Sequence, residues 1–98
     1  MSGAADAAIG TIKRTLAIAN KRGLHARAAA KFVRSAGQFD AAVRVSFKGQ
    51  DVSGLSIMGL MMLAAGIGSD IELTCSGRQV LDAMVALSAL VESKFGEE

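Results

Sequence analysis

Val43, Val45 and Phe47 alternate with Ala42, Arg44, Ser46 and Lys48, the period-two pattern of a strand with one buried face. Asp70 to Cys75 repeats the pattern with Ile71, Leu73 and Cys75 on one side, and Ile12, Leu16 and Ile18 give a looser version across Thr11 to Ala19. Elsewhere the apolar spacing lengthens to that of a helix. In the alanine-rich stretch from Ala26 to Ala36, residues Ala29, Phe32, Val33 and Ala36 share one face, Lys31 and Arg34 point away, and Gly37 provides a stop. Val80, Ala83, Met84, Leu87, Leu90 and Val91 mark the longest helix, decorated by Arg78, Asp82, Glu92 and Lys94. A short uncharged helix is expected from Ser56, a good N-cap, through Ala64, with Gly66 and Gly68 ending it and Leu60 and Met62 facing the core. Asn20 to Gly23, Lys48 to Asp51 and Ser76-Gly77 read as turns, and the segment around Val52 as a short edge strand.

The element order is therefore βαββαβα. Strands with one polar and one apolar face predict an α+β fold: a four-stranded, mostly antiparallel sheet with three helices on one face. The length of 98 residues suits one domain, expected over residues 11–98. Residues 1–10 carry neither the basic segment nor the continuous apolar core of a secretory signal and are expected to form a flexible extension. The stretch from Val52 to Ser69 is uncharged but interrupted by Ser53, Gly54, Ser56, Gly59, Gly66 and Gly68, so shorter elements are expected in place of a membrane span.

Composition narrows the chemistry. Cys75 is the only cysteine, which excludes an internal disulfide; a buried, inert thiol and a reducing cytoplasmic setting are expected. One histidine and one cysteine supply no metal-ligand cluster, and no cofactor is called for. The net charge of +2 hides an asymmetry: between Lys13 and Lys48 lie nine basic residues against Asp40 alone, whereas Gly49 to Glu98 holds seven acids against Arg78 and Lys94. The first half is thus suited to an anionic partner, whether a phosphoryl group, an acidic protein surface or nucleic acid. RNA binding is poorly supplied, because there is no tyrosine or tryptophan and only four phenylalanines for stacking.

His25 is the single histidine, and it sits in Gly23-Leu24-His25-Ala26-Arg27 at the predicted start of a helix. A neutral imidazole is a nucleophile, and a helix start offers unpaired N–H groups and positive dipole to an acquired phosphoryl group. Arg27 adds a planar guanidinium that pairs with phosphate oxygens at two points. The residues themselves point to a reversibly phosphorylated imidazole.

The Gly23 to Arg27 segment resembles the phosphohistidine motif of the histidine-containing phosphocarrier (HPr) family of the phosphoenolpyruvate-dependent phosphotransferase system. Ser56-Ile57-Met58-Gly59-Leu60-Met61 resembles the regulatory serine region of the same family, at a compatible distance, and the likeness extends from about Thr11 to Lys94. It implies an open-faced β-sandwich that is a carrier, not an enzyme. Enzyme I would place a phosphoryl group on Nδ1 of His25, Arg27 would stabilise it, and an enzyme IIA-type protein would receive it. It further implies phosphorylation of Ser56 by an HPr kinase/phosphorylase. Two positions depart from the pattern: Ala28 stands where the family usually has proline, and Leu55 where a lysine often precedes the serine.

A partner surface is expected from Ala26, Ala30, Lys31 and Arg34 beside the active loop, and from Ile57, Met58 and Met61 on the short helix, whose adaptable methionines suit several partners. A carrier of this kind is expected to be monomeric. Two alternatives stand beside sugar transport: a regulatory nitrogen-branch carrier, NPr-like, and more distantly a small basic RNA-binding domain.

Overall fold

The computed structural model describes residues 10–97; most of the expected extension, residues 1–9, lies outside the described part. Strand β1 (Thr11–Ala17) is followed by α1 (Ala26–Ala36), β2 (Ala42–Phe47), β3 (Gln50–Ser53), α2 (Ile57–Met62), β4 (Asp70–Ser76), α3 (Val80–Glu92) and a short turn, Lys94–Gly96. The sheet order is β1-β4-β2-β3, and every neighbouring pair is antiparallel. In the register Ile12 faces Cys75, Leu16 faces Ile71, and Val45 lies between Val52 and Leu73.

The alternation seen in the sequence sorts the strands as expected. Val43, Val45, Ile71, Leu73 and Cys75 are buried, while Arg44 and Lys13 are exposed. The helices cover the apolar face: α1 contributes Ala28, Ala29, Phe32 and Ala36, and α3 contributes Val80, Ala83, Met84, Leu87 and Val91. Cys75 is buried and free, and that burial pushes its thiol up from the ordinary cysteine range. Lys48 and Gly49, both at positive φ (49° and 82°), form the tight β2–β3 hairpin, whose geometry matches the twist of its strands.

Two expectations are corrected. Helix α2 ends at Met62 with Leu63 as its C-cap, because Ala64 turns left-handed (φ 55°) before either glycine is reached. Met62, expected in the core, is 70% exposed. At 100° per residue it lies about 200° from the buried Leu60, and so little more than one and a half turns can direct only one row inward. On α3 Leu90 packs partly buried against the core, on the face expected for it, and Ser88 is buried with its hydroxyl accepting from Arg14 Nη1 at 3.0 Å.

After β1 the chain keeps hold of the segment that follows α2: Ile18 N–H donates to Ser69 O and Gly68 N–H to Ile18 O, both at 2.8 Å, and Leu24 N–H donates to Ala65 O at 3.0 Å. The loop leading to His25 is therefore fixed on a second loop. At Gly23 (φ +63°) the second loop leaves no room for a side chain.

Candidate functional site

His25 is the N-cap of α1. Its backbone is extended (φ −74°, ψ 177°), and its Nδ1 accepts from the Arg27 backbone N–H at 3.3 Å. Asp, Asn, Ser or Thr commonly fills this position; here an imidazole does so, which puts its unprotonated nitrogen at the positive end of the helix. The other ring nitrogen, Nε2, is hydrogen-bonded to the Glu97 carboxylate. A carboxylate only accepts, and the Arg27 N–H only donates, so the two contacts together require Nε2–H and a bare Nδ1.

Glu97 is held in turn by Asn20, whose Nδ2 donates to Glu97 Oε1 at 3.0 Å and to Gly23 O at 2.9 Å. The Glu97 carboxyl is kept below the usual carboxylate range, chiefly by its hydrogen bond to His25 and next by that from Asn20, with the charges of His25 and Arg22 adding; desolvation opposes this. Lys21, Arg22, His25, Arg27 and Glu97 line an open depression of about 220 Å³. Three exposed cations thus line the depression beside the imidazole, and their charge suits an anion. Among the described residues no group of three or more His, Cys, Asp or Glu is placed to hold a metal ion, and no helix is long and apolar enough to cross a membrane.

Of the residues singled out in the sequence, His25 and Arg27 share this depression. Ser56 is the N-cap of α2, its Oγ accepting from Gly59 N–H at 2.9 Å. Ile57, Met58 and Met61 are exposed there, and Leu55, Met62 and Ile67 extend the same uncharged region. Ala26 and Arg34 are exposed on α1, and Ala30 is half-buried. Lys31, expected on the partner surface, is half-buried, and its ammonium also ties α1 to the C-terminal turn by donating to Phe95 O at 2.7 Å. Lys21, Arg22, Asn20 and Glu97 were not singled out. The one-sided charge of the first half was a signal for the two cations; nothing local marked Glu97, 72 residues from its histidine.

The family model described as "PTS HPr component phosphorylation site" matches residues 12–93. The phosphocarrier protein HPr of Cupriavidus necator is 50% identical over 86 residues, covering 88% of this chain and 97% of that protein. The phosphocarrier protein NPr of Shewanella violacea is 41% identical over 86 residues, covering 88% and 94%. The crystal structure of a His-tagged HPr from Thermoanaerobacter tengcongensis superposes with a TM-score of 0.85 at 42% identity, covering 89% of this chain and 98% of that one.

Proposed function

The chain belongs to the HPr family of phosphocarrier proteins of the phosphotransferase system, and from that premise we propose that it takes a phosphoryl group on Nδ1 of His25 from phosphorylated enzyme I and hands it to an enzyme IIA-type protein. The observation that supports this most is the state of the ring: Nε2 is occupied by Glu97 while the Nδ1 lone pair lies at a helix start inside a basic depression. Nδ1 attacks phosphorus, a nitrogen–phosphorus bond forms, and the bond to enzyme I breaks with its electron pair returning to enzyme I. The Arg27 N–H, until then bonded to Nδ1, is placed to donate to a phosphoryl oxygen, and its guanidinium supplies a second, charged donor. The return step runs the same sequence with the IIA acceptor as nucleophile.

Radiolabelled phosphoenolpyruvate and enzyme I should label the wild-type protein and leave His25→Ala unlabelled, and the label should be acid-labile and alkali-stable. No label on wild-type protein with a competent enzyme I would overturn the proposal.

Partner docking is assigned to Ala26, Ala30, Lys31 and Arg34 on α1 and to Ile57, Met58 and Met61 on α2, with the exposed Leu55, Met62 and Ile67 enlarging the apolar part. Ser56 is the regulatory site: a phosphate there adds about two negative charges beside this surface and opposes docking of phosphorylated enzyme I. The chain is proposed to act as a monomer, as one domain over residues 11–98, in the cytoplasm. A nitrogen-branch role is the second reading, favoured by the NPr relative; transfer rates to sugar-branch and nitrogen-branch IIA proteins separate the two.

A further inference from the structure

We propose that Glu97 is a positioning residue for the phosphoryl-transfer reaction: its carboxylate holds His25 in the Nε2–H tautomer and balances the positive charge that the ring acquires as Nδ1 bonds to phosphorus. The proposal rests on the phosphocarrier reading above.

The fold invests in placing this carboxylate. After α3 the chain reverses through Lys94, Phe95 and Gly96, all at positive φ (61°, 55° and 74°). A left-handed conformation is unfavourable for the two residues that are not glycine, and strain of this kind persists only where surrounding contacts over-determine it. Here they do: Phe95 is fully buried, and Lys31 on α1 binds its carbonyl. Asn20 is fully buried and commits both amide hydrogens, one to the Gly23 carbonyl of the active loop and one to Glu97. Turning the amide over would bring its oxygen against two acceptors, so its orientation is set, and its Oδ1 is left without a protein partner among the described residues. The amide thus couples the loop that carries His25 to the carboxylate that orients it.

Through transfer the Nε2 proton stays in place. The nucleophilic lone pair becomes the nitrogen–phosphorus bond, so the ring turns cationic on paper while Nε2–H continues to donate to Glu97. That hydrogen bond becomes charge-assisted on both sides and strengthens as the transition state is approached, the condition under which an interaction raises a rate. The same division of labour, in which a carboxylate orients an imidazole and stabilises its charged form without taking the proton, operates in hydrolytic triads. Among the described residues, Glu97 also supplies the one carboxylate lining a depression that holds Lys21, Arg22 and Arg27.

The full-length wild-type protein is compared with Glu97→Ala and Glu97→Gln by two measurements: the ¹⁵N spectrum of the His25 ring in its neutral form, and the rate of phosphorylation by enzyme I. Because Phe95 and Lys31 anchor the turn, both variants should keep the wild-type fold, which their amide spectra report. Wild-type protein should show one tautomer, protonated at Nε2. Glu97→Ala should show a mixture and react about tenfold more slowly, the scale of one partly exposed charge-assisted hydrogen bond. Glu97→Gln, which still presents an oxygen acceptor, should keep the tautomer yet lose rate. A ring spectrum and a rate unchanged in Glu97→Ala, with wild-type protein labelled normally, would overturn the proposal. Wild-type protein that takes no label would remove the phosphocarrier reading first, and this proposal with it.

Discussion

Gly23→Ala tests how the loop carrying His25 is held. At φ +63° an alanine Cβ would stand 2.4 Å from the Ala65 carbonyl oxygen and 2.8 Å from Gly66 Cα. Both are backbone atoms, so no side-chain rotation relieves the contact; the active loop and the α2–β4 loop have to part. The left-handed conformation itself costs an L-residue about 1–2 kcal/mol. Separation also sacrifices the Leu24 N–H to Ala65 O hydrogen bond, worth about 1 kcal/mol. The sum is about 2–3 kcal/mol, which at the usual urea dependence of a small domain lowers the unfolding midpoint by roughly 1–2 M. Because Leu24 immediately precedes His25, phosphorylation by enzyme I should slow even where the variant is fully folded. Urea titration gives the first quantity, hydrogen exchange at the Leu24 amide reports the broken bond, and label incorporation gives the third. A loss below about 1 kcal/mol with the Leu24 amide as protected as in wild-type protein would refute the reasoning, since it would mean that the two loops do not bear on each other as their spacing requires.

On α2, Met58→Asp should weaken enzyme I docking and change stability by less than about 0.5 kcal/mol, as at other open surface sites, whereas Leu60→Ala, at a fully buried position, should cost about 2–5 kcal/mol; binding and denaturation measured on both variants check the pair. Ser56→Ala removes the side-chain cap from a six-residue helix and should cost about 1 kcal/mol in chemical denaturation, while Ser56→Asp should slow phosphorylation of His25 by enzyme I; an unchanged rate would argue against electrostatic regulation. Glu97, whose carboxyl is lowered chiefly by His25, contributes stability that is complete above the ordinary glutamate range and is lost as pH falls through its own, lower value. Melting temperatures below about pH 4.3, the ordinary glutamate value, should therefore fall more steeply for wild-type protein than for Glu97→Gln.

What could be read from the chain is what neighbouring residues decide. Alternation at Val43–Phe47 and Asp70–Cys75 fixes which face is buried, because a pleated strand leaves no other choice, and Ser56 signals a helix start through its own hydroxyl. The place of His25 at a helix start was legible because Gly23 before it carries the turn and the alanine-rich run after it carries the helix. The misreadings fall where a distant contact decides. Met62 has the hydrophobicity of a core residue, but α2 is too short to present two inward rows, and its length is set by the turn at Ala64, whose left-handed backbone no alanine announces. Lys31 reads as a helix-surface cation for a partner, and nothing near it in the chain marks the Phe95 carbonyl that the reversed C-terminal turn brings to its ammonium. Asn20 reads as an ordinary turn residue, yet it is buried as the link between Gly23 and Glu97. The Lys31 and Asn20 contacts depend on where α3 ends and how the chain turns back from it.

That dependence bears on how a carrier can both accept and release a group. Two unit charges about 4 Å apart interact by roughly 1 kcal/mol in water and about 4 kcal/mol near a protein surface, but far more in a dry interior. Lys21, Arg22 and Arg27 are all exposed, so each contributes at the weak end of that range. Enclosing them would bind the phosphoryl group more tightly in the ground state as well as in the transition state, and uniform tightening of that sort opposes onward transfer. Under the proposed function, an exposed set of cations leaves the phosphoryl group reachable by the next nucleophile. The more buried contact is made instead to the ring, where Glu97, itself held by Asn20, binds Nε2. On the proposed reading, orientation is separated from grip: Glu97, held by Asn20, fixes the imidazole without touching the phosphoryl group, and exposed cations hold that group loosely.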